Sequence, residues 1–432
     1  MDYQQSRAYV SDADRYAGGA LDLTNIKELM KCLGNPQDQL KNVHVAGTNG
    51  KGSVIAYLYT TLSEAGYRVG RYISPSVYSY REKMEVAGRS VSREQFAGYV
   101  TRVAAAIEEM TSEGLAHPTP FEIETAVAFL FFAEENCDLV ILEVGMGGNL
   151  DATNIIKNTI LAVLVPISMD HQSFLGNTLS EIAEKKAGII KPGCSVVTAG
   201  QQPETMAVIK NVCAQNNADL TEADLREAKA VKEDFAGQIL EYRGETFELS
   251  LAGSYQTENA ALALEALHVL EKKGYPTTVL QRKKGLKDTR WNGRLTIIHR
   301  DPLFIVDGAH NPAAADMLED SVRKYFKGRK MFFIMGVFRD KDYSYIIRKL
   351  CPYAQQIVTV ETPDNPRALP AGELAEAIKP CNPHVQAANS IEDAVNKVFD
   401  MAGCDDVILS FGSLSFIGQI TAIVKTREEK NS

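Results

Sequence analysis

Apolar runs rich in β-branched residues alternate with helical patterns along this chain from residue 43 onward. Residues 43–46 read as a short strand, followed by a glycine-rich loop and a helix over about 53–65 that stops at Gly66. Residues 139–143 and 160–165 are continuous apolar runs, the pattern of strands covered by helices on both faces. The helix across 121–134 supplies one such cover. Near 92–111 a helix opens with Ser92-Arg93-Glu94-Gln95, a capping box in which Ser92 and Gln95 satisfy backbone N–H groups of the first turn. Strands alternating with helices predict a doubly wound parallel sheet in an α/β protein.

Between about 226 and 250 the pattern changes to short alternating segments with a turn at Arg243-Gly244, read as a small antiparallel excursion. A long helix follows over about 258–273. The stretch 282–290 is basic and weakly patterned and reads as a solvated helix end running into a linker. A second αβ series then begins, with strands at 303–306, 331–335, 357–360 and 407–409. The expected division is a parallel-sheet domain over 1–295 followed by a smaller Rossmann-like α/β domain over 296–432. No repeat of about 20–50 residues is evident.

Composition narrows the partners. The 432 residues are 45% hydrophobic and 23% charged, which excludes disorder and fibres. Lys plus Arg number 46 against 55 Asp plus Glu, a net charge of -9 that argues against nucleic acid as a partner. The run Arg282-Lys283-Lys284, without interleaved aromatics, does not change that. A polyanionic small ligand needs a locally positive pocket. Apolar runs such as 126–133 fall far short of the ~18–20 residues of a membrane helix. The opening Met-Asp-Tyr-Gln-Gln-Ser carries an acid where a signal peptide has basic residues. The seven cysteines (32, 137, 194, 213, 351, 381 and 404) are odd in number and never spaced Cys-x-x-Cys, so reduced, mostly buried thiols are expected rather than a zinc cage or disulfides. A cytoplasmic protein with no membrane partner fits these features, and a monomer is expected.

The strongest local chemistry is His44-Val45-Ala46-Gly47-Thr48-Asn49-Gly50-Lys51-Gly52-Ser53. Glycines let the backbone turn its N–H groups toward phosphate oxygens, the following helix adds its positive end, and Lys51 reaches the terminal phosphates. The usual Gly-x4-Gly-Lys-Ser/Thr spacing is not met, because the first glycine is too close and Gly52 occupies the hydroxyl position. A metal ligand has to come from elsewhere. Glu143 ends an apolar strand, where ligands gather in open α/β sheets, although an acid there is more often a solvated loop group. His171 follows Asp170 at the same edge and reads equally as a helix cap or core histidine. Lys186 reads as a surface lysine near a helix C-terminus, Asn259 as a helix cap, and Phe121 as helix packing.

Gly47-Thr48-Asn49-Gly50-Lys51-Gly52-Ser53 resembles the loop of folylpolyglutamate synthases and dihydrofolate synthases, in the Mur ligase superfamily. The resemblance runs from about 22 to 418. It passes through Ile73-Ser74-Pro75, Leu142-Glu143-Val144-Gly145-Met146-Gly147-Gly148, Leu150-Asp151-Ala152-Thr153-Asn154 and Met169-Asp170-His171. It continues through Glu184-Lys185-Lys186-Ala187-Gly188-Ile189, Asn292-Gly293-Arg294 and Asp307-Gly308-Ala309-His310-Asn311-Pro312.

The resemblance implies an ATP-binding P-loop domain followed by a glutamate ligase domain. ATP would be held by residues 47–53, with Asn259, Arg294 and Asp307 on the nucleotide and its phosphates. Mg2+, at two sites, would be held by Ser74, Glu143 and His171, although a second-shell role stays open for the imidazole. Lys186 would carry a carbamate. His310 and Asp307, with Lys51 and Lys186, would form the catalytic set. Thr119, Pro120, Phe121, Glu122, Leu150, Asp151 and Ala152 would line the acceptor site. The C-terminal segments Asn365-Pro366-Arg367 and Ser410-Phe411-Gly412-Ser413 would receive glutamate.

The implied reaction is ATP-dependent formation of an acyl phosphate on a folate or dihydropteroate carboxylate, attacked by L-glutamate. Ser74-Pro75-Ser76-Val77, Arg81-Glu82-Lys83 and Asp22-Leu23-Thr24-Asn25 depart from the family pattern around the substrate entrance, so acceptor choice is where this chain differs. A related ligase with a cell-wall or peptide acceptor, and an ATP-sensing module without catalysis, are the rival readings.

Overall fold

The computed structural model describes residues 1–16, 22–235, 237–363 and 365–431. The first sheet contains β1 (Asn42–Ala46), β2 (Val69–Tyr72), β3 (Met84–Val86), β4 (Arg89–Ser90), β5 (Leu139–Glu143), β6 (Thr159–Leu164), β7 (Ser195–Thr198) and β8 (Asp219–Glu222). Its order is β4-β3-β2-β5-β1-β6-β7-β8, with β2 through β8 in that row all parallel and β3 and β4 added antiparallel at one edge. After β1 the chain moves to one side, and after β5 it crosses to the other. The segments that follow β1, β2, β5 and β6 therefore open on one sheet edge, beside the strand where the order reverses, which is where open α/β sheets bind ligands.

All five residues of β1 and of β5 are buried, as their unbroken apolar runs require. Helix Pro120–Glu134 is apolar around its whole circumference and buries Ile123 through Phe132 against this sheet. The capping box at residue 92 forms as the sequence indicates, with Gln95 N–H on Ser92 Oγ and Ser92 N–H on Gln95 Oε1, both 3.0 Å.

The basic stretch at 282–290 is a correction. It belongs largely to helix Val279–Asp288, which packs on helix Lys51–Glu64. A Cβ at Gly285 would lie 2.3 Å from Thr61 Oγ1, so the two helices touch backbone to side chain. Arg282 is buried rather than solvated. Its guanidinium holds Glu271 Oε2 at 2.7 Å, Thr277 Oγ1 at 2.8 Å and His268 Nε2 at 2.9 Å. A helix that docks through a glycine and a paired arginine carries no apolar stripe to read.

The second unit holds β9 (Lys229–Asp234), β10 (Gly237–Tyr242) and β11 (Glu245–Leu249) as an antiparallel sheet. Arg243 and Gly244 have φ of 48° and 77°, the doubly left-handed geometry of a two-residue hairpin turn. A six-stranded sheet follows, built from β12 (Thr296–His299), β13 (Leu303–Val306), β14 (Met331–Met335), β15 (Gln356–Thr359), β16 (Val385–Ala387) and β17 (Val407–Phe411). Its order is β12-β13-β17-β14-β15-β16, parallel except for β12. The two edge strands β12 and β16 are only partly buried, and neither announces itself as an apolar run.

The chain divides into Met1–Ser76, Arg81–Ala228 and Glu258–Asp288 on one side and Val77–Tyr80, Lys229–Thr257 and Thr289–Ser432 on the other. The sequence reading kept the antiparallel excursion within 1–295. It groups instead with the second unit, because Phe235 packs edge-on against Phe326 with centroids 5.1 Å apart and Tyr325 donates its hydroxyl to Glu233 at 2.9 Å. All seven cysteines are free thiols; three are buried, two exposed and two intermediate, fewer buried than expected. Among the described residues no helix is long and apolar enough to cross a membrane.

Replacing Arg282 with Met, which keeps the stem and deletes three charged hydrogen bonds, is expected to cost about 1–3 kcal/mol of stability. A lowered urea midpoint with unchanged m-value is the check.

Candidate active site

The loop after β1 needs glycine at two positions. At Gly47, with φ 139°, a Cβ would sit 2.2 Å from Val165 Cγ2 and 2.6 Å from Val165 O. At Gly50, with φ 100°, it would sit 2.5 Å from Asn259 Oδ1. Gly50 also caps helix Lys51–Glu64 without a side-chain hydrogen bond, so no cap side chain competes for the first-turn N–H groups that suit an anion. Thr48 pins the loop, its N–H on Pro166 O at 2.9 Å and its hydroxyl on Ser168 O at 3.0 Å. Lys51 folds over the loop, its Nζ 3.3 Å from both Gly47 O and Thr48 O and 4.0 Å from Glu143 Oε1. Ser53 is buried inside the helix, one position past Gly52.

Glu143 closes β5 and is buried; its Oε2 accepts the Ser74 N–H at 3.2 Å. Lys51, Ser74 and Glu143 therefore meet at one point of the sheet edge. A buried carboxylate beside a hydroxyl-bearing residue offers hard oxygen donors, and few of them. That suits Mg2+, which keeps several waters and takes phosphate oxygens for the rest. Among the described residues no three His, Cys, Asp or Glu side chains gather into a closed metal cage. His171, with φ 49° before a single-turn helix, lies past β6, and its Nε2 is 3.9 Å from Asp170 Oδ2.

Lys186 is not the surface lysine its sequence context suggests. It is 5% exposed, and its Nζ donates to Gly47 O at 2.9 Å. Burial, and then the neighbouring Lys51 charge, push its pKa down to about 7, while Asp170 and Asp151 oppose the shift. The helix that carries it, Leu179–Ala187, is locked to the loop after β5. Asn149 N–H bonds Lys185 O at 2.8 Å, and a Cβ at Gly188 would strike Asn149 Cβ at 2.3 Å.

Beside Ser74 lies a cavity of about 570 Å³. Thr119, Phe121, Glu122, Leu150, Asp151 and Ala152 line it, whereas Pro120 serves as the first residue of helix Pro120–Glu134. Phe121 stacks on Tyr72 with centroids 6.0 Å apart, and its ring lies where a Cβ on Gly145 would fall. Thr119 and Glu122 cap the helix, with Glu122 Oε2 accepting both Thr119 N–H and hydroxyl. Asp22, Asn25, Ser74, Pro75 and Lys83, which fall in the segments that depart from the family pattern, also line the cavity. The sequence reading missed Glu124, whose two carboxylate oxygens each lie 2.8 Å from Lys83 Nζ in the cavity wall. A second acid two residues after Glu122, at the head of an otherwise apolar helix, was the available signal.

In the second unit Arg294, Asp307 and His310 share one loop cluster. Asp307 follows β13, and its buried carboxylate accepts Leu295 N–H at 2.9 Å and Ala309 N–H at 2.8 Å. Burial raises its pKa against the opposing charge of Arg294. Arg294 donates to Gly293 O at 2.9 Å and packs over Gly308, where a Cβ would lie 2.4 Å from its Nη1. His310 Nδ1 sits 2.7 Å from Gly308 O. Among the segments expected to meet glutamate, Arg367 forms a two-pronged pair with Asp340 at 2.7 and 3.0 Å and lies over Phe338.

A model of the Mur ligase middle domain matches residues 45–267, and one of the Mur ligase glutamate ligase domain matches 293–414. The chain is 34% identical over 431 residues to the dihydrofolate synthase/folylpolyglutamate synthase of Bacillus subtilis (strain 168), covering 98% of this chain and 99% of that protein. The chain belongs to the folylpolyglutamate synthase/dihydrofolate synthase family of the Mur ligase superfamily. It is accordingly an ATP-dependent ligase. Its fold superposes on the Mycobacterium tuberculosis folylpolyglutamate synthase complexed with ADP and AMPPCP with a TM-score of 0.88, at 30% identity and 98% and 99% coverage of the two chains. A complex of a folylpolyglutamate synthase with AMPPCP and folate matches with a TM-score of 0.82, at 29% identity and 99% and 100% coverage.

Gly50→Ala places a methyl group against Asn259 at a left-handed φ and is expected to weaken AMPPCP binding at least about tenfold. Calorimetric titration, with circular dichroism confirming the fold, measures it.

Proposed function

We propose that this ligase adds L-glutamate to the carboxylate of folates, with dihydropteroate as a further acceptor, through an acyl phosphate. The observation that carries the reading is the adjacency of three things at one sheet edge: the glycine loop with Lys51, the Ser74–Glu143 contact, and a cavity opening on Ser74. The match of residues 293–414 to the glutamate ligase domain supports glutamate as the incoming amine, and the relatives' names support folate or dihydropteroate as acceptor.

A carboxylate is a poor electrophile until its oxygen is made a leaving group. Phosphoryl transfer is chiefly positioning and charge compensation, which Lys51 and the helix N-terminus supply on ATP, with Arg294 assigned to the phosphates. Ser74 and Glu143, with His171 as a third or outer partner, would hold a magnesium ion, which when bound would supply positive charge to the phosphate oxygens. Phe121, Leu150 and Ala152 hold the acceptor and keep water from the activated carboxyl, which water would otherwise hydrolyse. Asp307 and His310 order the loop beside Arg294. Glutamate's amine attacks as the free base, its nitrogen bonds to the acyl carbon, and phosphate leaves.

Lys186 is proposed to carry a carbamate. The ammonium first loses one proton; the neutral amine then attacks CO2, an N–C bond forms and a second proton leaves to solvent, so an anion replaces the buried cation. An amine of pKa about 7 is largely neutral above that pH, whereas an ordinary lysine is not. The same shift has a stability sign. The unfolded chain binds the extra proton between pH 7 and 10.5, so the unmodified group's penalty is full below pH 7 and is relieved as pH rises through that window.

Purified protein with MgATP and L-glutamate is expected to release phosphate when tetrahydrofolate or dihydropteroate is added. Silence with both, together with turnover of a cell-wall peptide acceptor, assigns the chain to the rival ligase class. Lys51→Ala is expected to lower kcat/KM by about 10²-fold or more; full turnover by that variant would point to a module that senses ATP without using it.

Labelled bicarbonate is expected to give a carbamate carbon resonance that grows as pH rises through about 7 and is absent in Lys186→Met. An unchanged spectrum at every pH removes the carbamate.

A further inference from the structure

Three buried side chains outside the reacting centre form one line. His44 Nε2 lies 2.8 Å from Thr153 Oγ1, and Thr153 Oγ1 lies 2.5 Å from Asp151 Oδ1. Asp151 also receives Thr153 N–H on Oδ1 at 3.0 Å, Met146 N–H on Oδ2 at 2.9 Å, and the Gly145 N–H. A carboxylate offers about four lone-pair sites, and four donors address this one. His44 lies in β1, the strand that runs into the phosphate loop. Gly145, Met146 and Asp151 lie in the loop that follows Glu143 and lines the acceptor cavity.

Counting hydrogens fixes the direction of the line. Thr153 has one hydroxyl hydrogen. Burial raises the pKa of Asp151, but the four donors aimed at its oxygens favour the carboxylate, which has no hydrogen to give, so the short contact between them uses the threonine's hydrogen. Thr153 then meets His44 only as an acceptor, and Nε2 of His44 must carry the ring hydrogen. Nδ1 is left as the bare nitrogen, and among the described residues it has no hydrogen-bond partner. A bare buried acceptor is the less costly way to leave one ring atom alone, since orphaned donors are the rarer case.

We propose that His44 is a positioning residue for acceptor binding. Through Thr153 it holds Asp151, and through Asp151 the backbone of the cavity loop, in register with the strand that supports the phosphate loop. Asp151 on this view braces the acceptor site from behind. The inference rests on the proposed reading only in taking the cavity as the acceptor site. The ring is also buried completely and its pKa is lowered to about 3, so it stays neutral across the working pH range.

Two measurements test it. In protein labelled with 15N-histidine, with His44→Gln used for assignment, His44 is expected to show the Nε2–H tautomer and no titration between pH 5 and 8. An Nδ1–H tautomer, or titration in that range, overturns the line whatever the enzyme's substrate is. In steady-state assays Thr153→Val is expected to raise the acceptor KM about tenfold with the ATP KM unchanged, while Thr153→Ser restores it. His44→Leu is expected to behave like Thr153→Val. His44→Gln, whose amide N–H can take the place of Nε2–H, behaves like the unaltered protein. Equal rises in both KM values, or no rescue by Ser and Gln, reduce His44 to ordinary core packing. If no folate or dihydropteroate supports turnover by the unaltered protein, the acceptor reading fails, and the 15N spectrum still decides the hydrogen-bonded line.

Discussion

The close passage of Gly47 against Val165 is the constraint from which the site follows. Two neighbouring strands end with their backbones nearly touching, and that proximity leaves no space for a side chain at residue 47. The carbonyl freed at this bend is shared by Lys51 and Lys186, one from the following helix and one from a helix far along the chain. Two lysines converging on one carbonyl repel each other as well as losing water. Burial, and after it the Lys51 charge, lower the pKa of Lys186 to about 7. The phosphate loop thus sets its own backbone path and also the protonation of a residue nearly 140 positions away.

Much of the fold was legible because its central strands are covered on both faces, which leaves uninterrupted apolar runs such as 139–143. The capping box at Ser92 and the hairpin at Arg243-Gly244 were legible because local backbone geometry demands particular residues there. What stayed hidden was structure held by pairing rather than by apolar pattern. Helix Val279–Asp288 docks through Gly285 and a buried Arg282, and the edge strands β12 and β16 are half in solvent. None of these writes a hydrophobic period into the chain.

The site divides the same way. Gly47, Gly50 and Lys51 carry a spacing with a mechanical meaning and could be read directly. Glu143 and Lys186 were ambiguous until resemblance gave them roles, since a strand-end acid and a lysine near a helix end are ordinary features. Burial separates the readings, and burial is not a local property of sequence. Asp151 and Asp307 illustrate a further gap. Each is a buried acid following a strand, and each binds backbone amides: Asp151 those of its own loop, Asp307 one in its own loop and Leu295 ahead of β12. Sequence places such residues at the right edge of the sheet but does not distinguish a group that touches ligand from one that tethers the chain around it.

The seam between Asn149 and Gly188 constrains how such a protein can diversify. Asp22 and Asn25, on the outer wall of the cavity, belong to a segment that supports no phosphate chemistry and can be exchanged singly, whereas Pro75 adjoins Ser74 and Lys83 is tied to the buried Glu124. The loop after Glu143 has no such liberty, because it is bolted to the helix that carries Lys186 and any thickening there displaces both together. New acceptor preferences should therefore accumulate along the outer wall, while the inner wall stays nearly fixed across descendants of this chain.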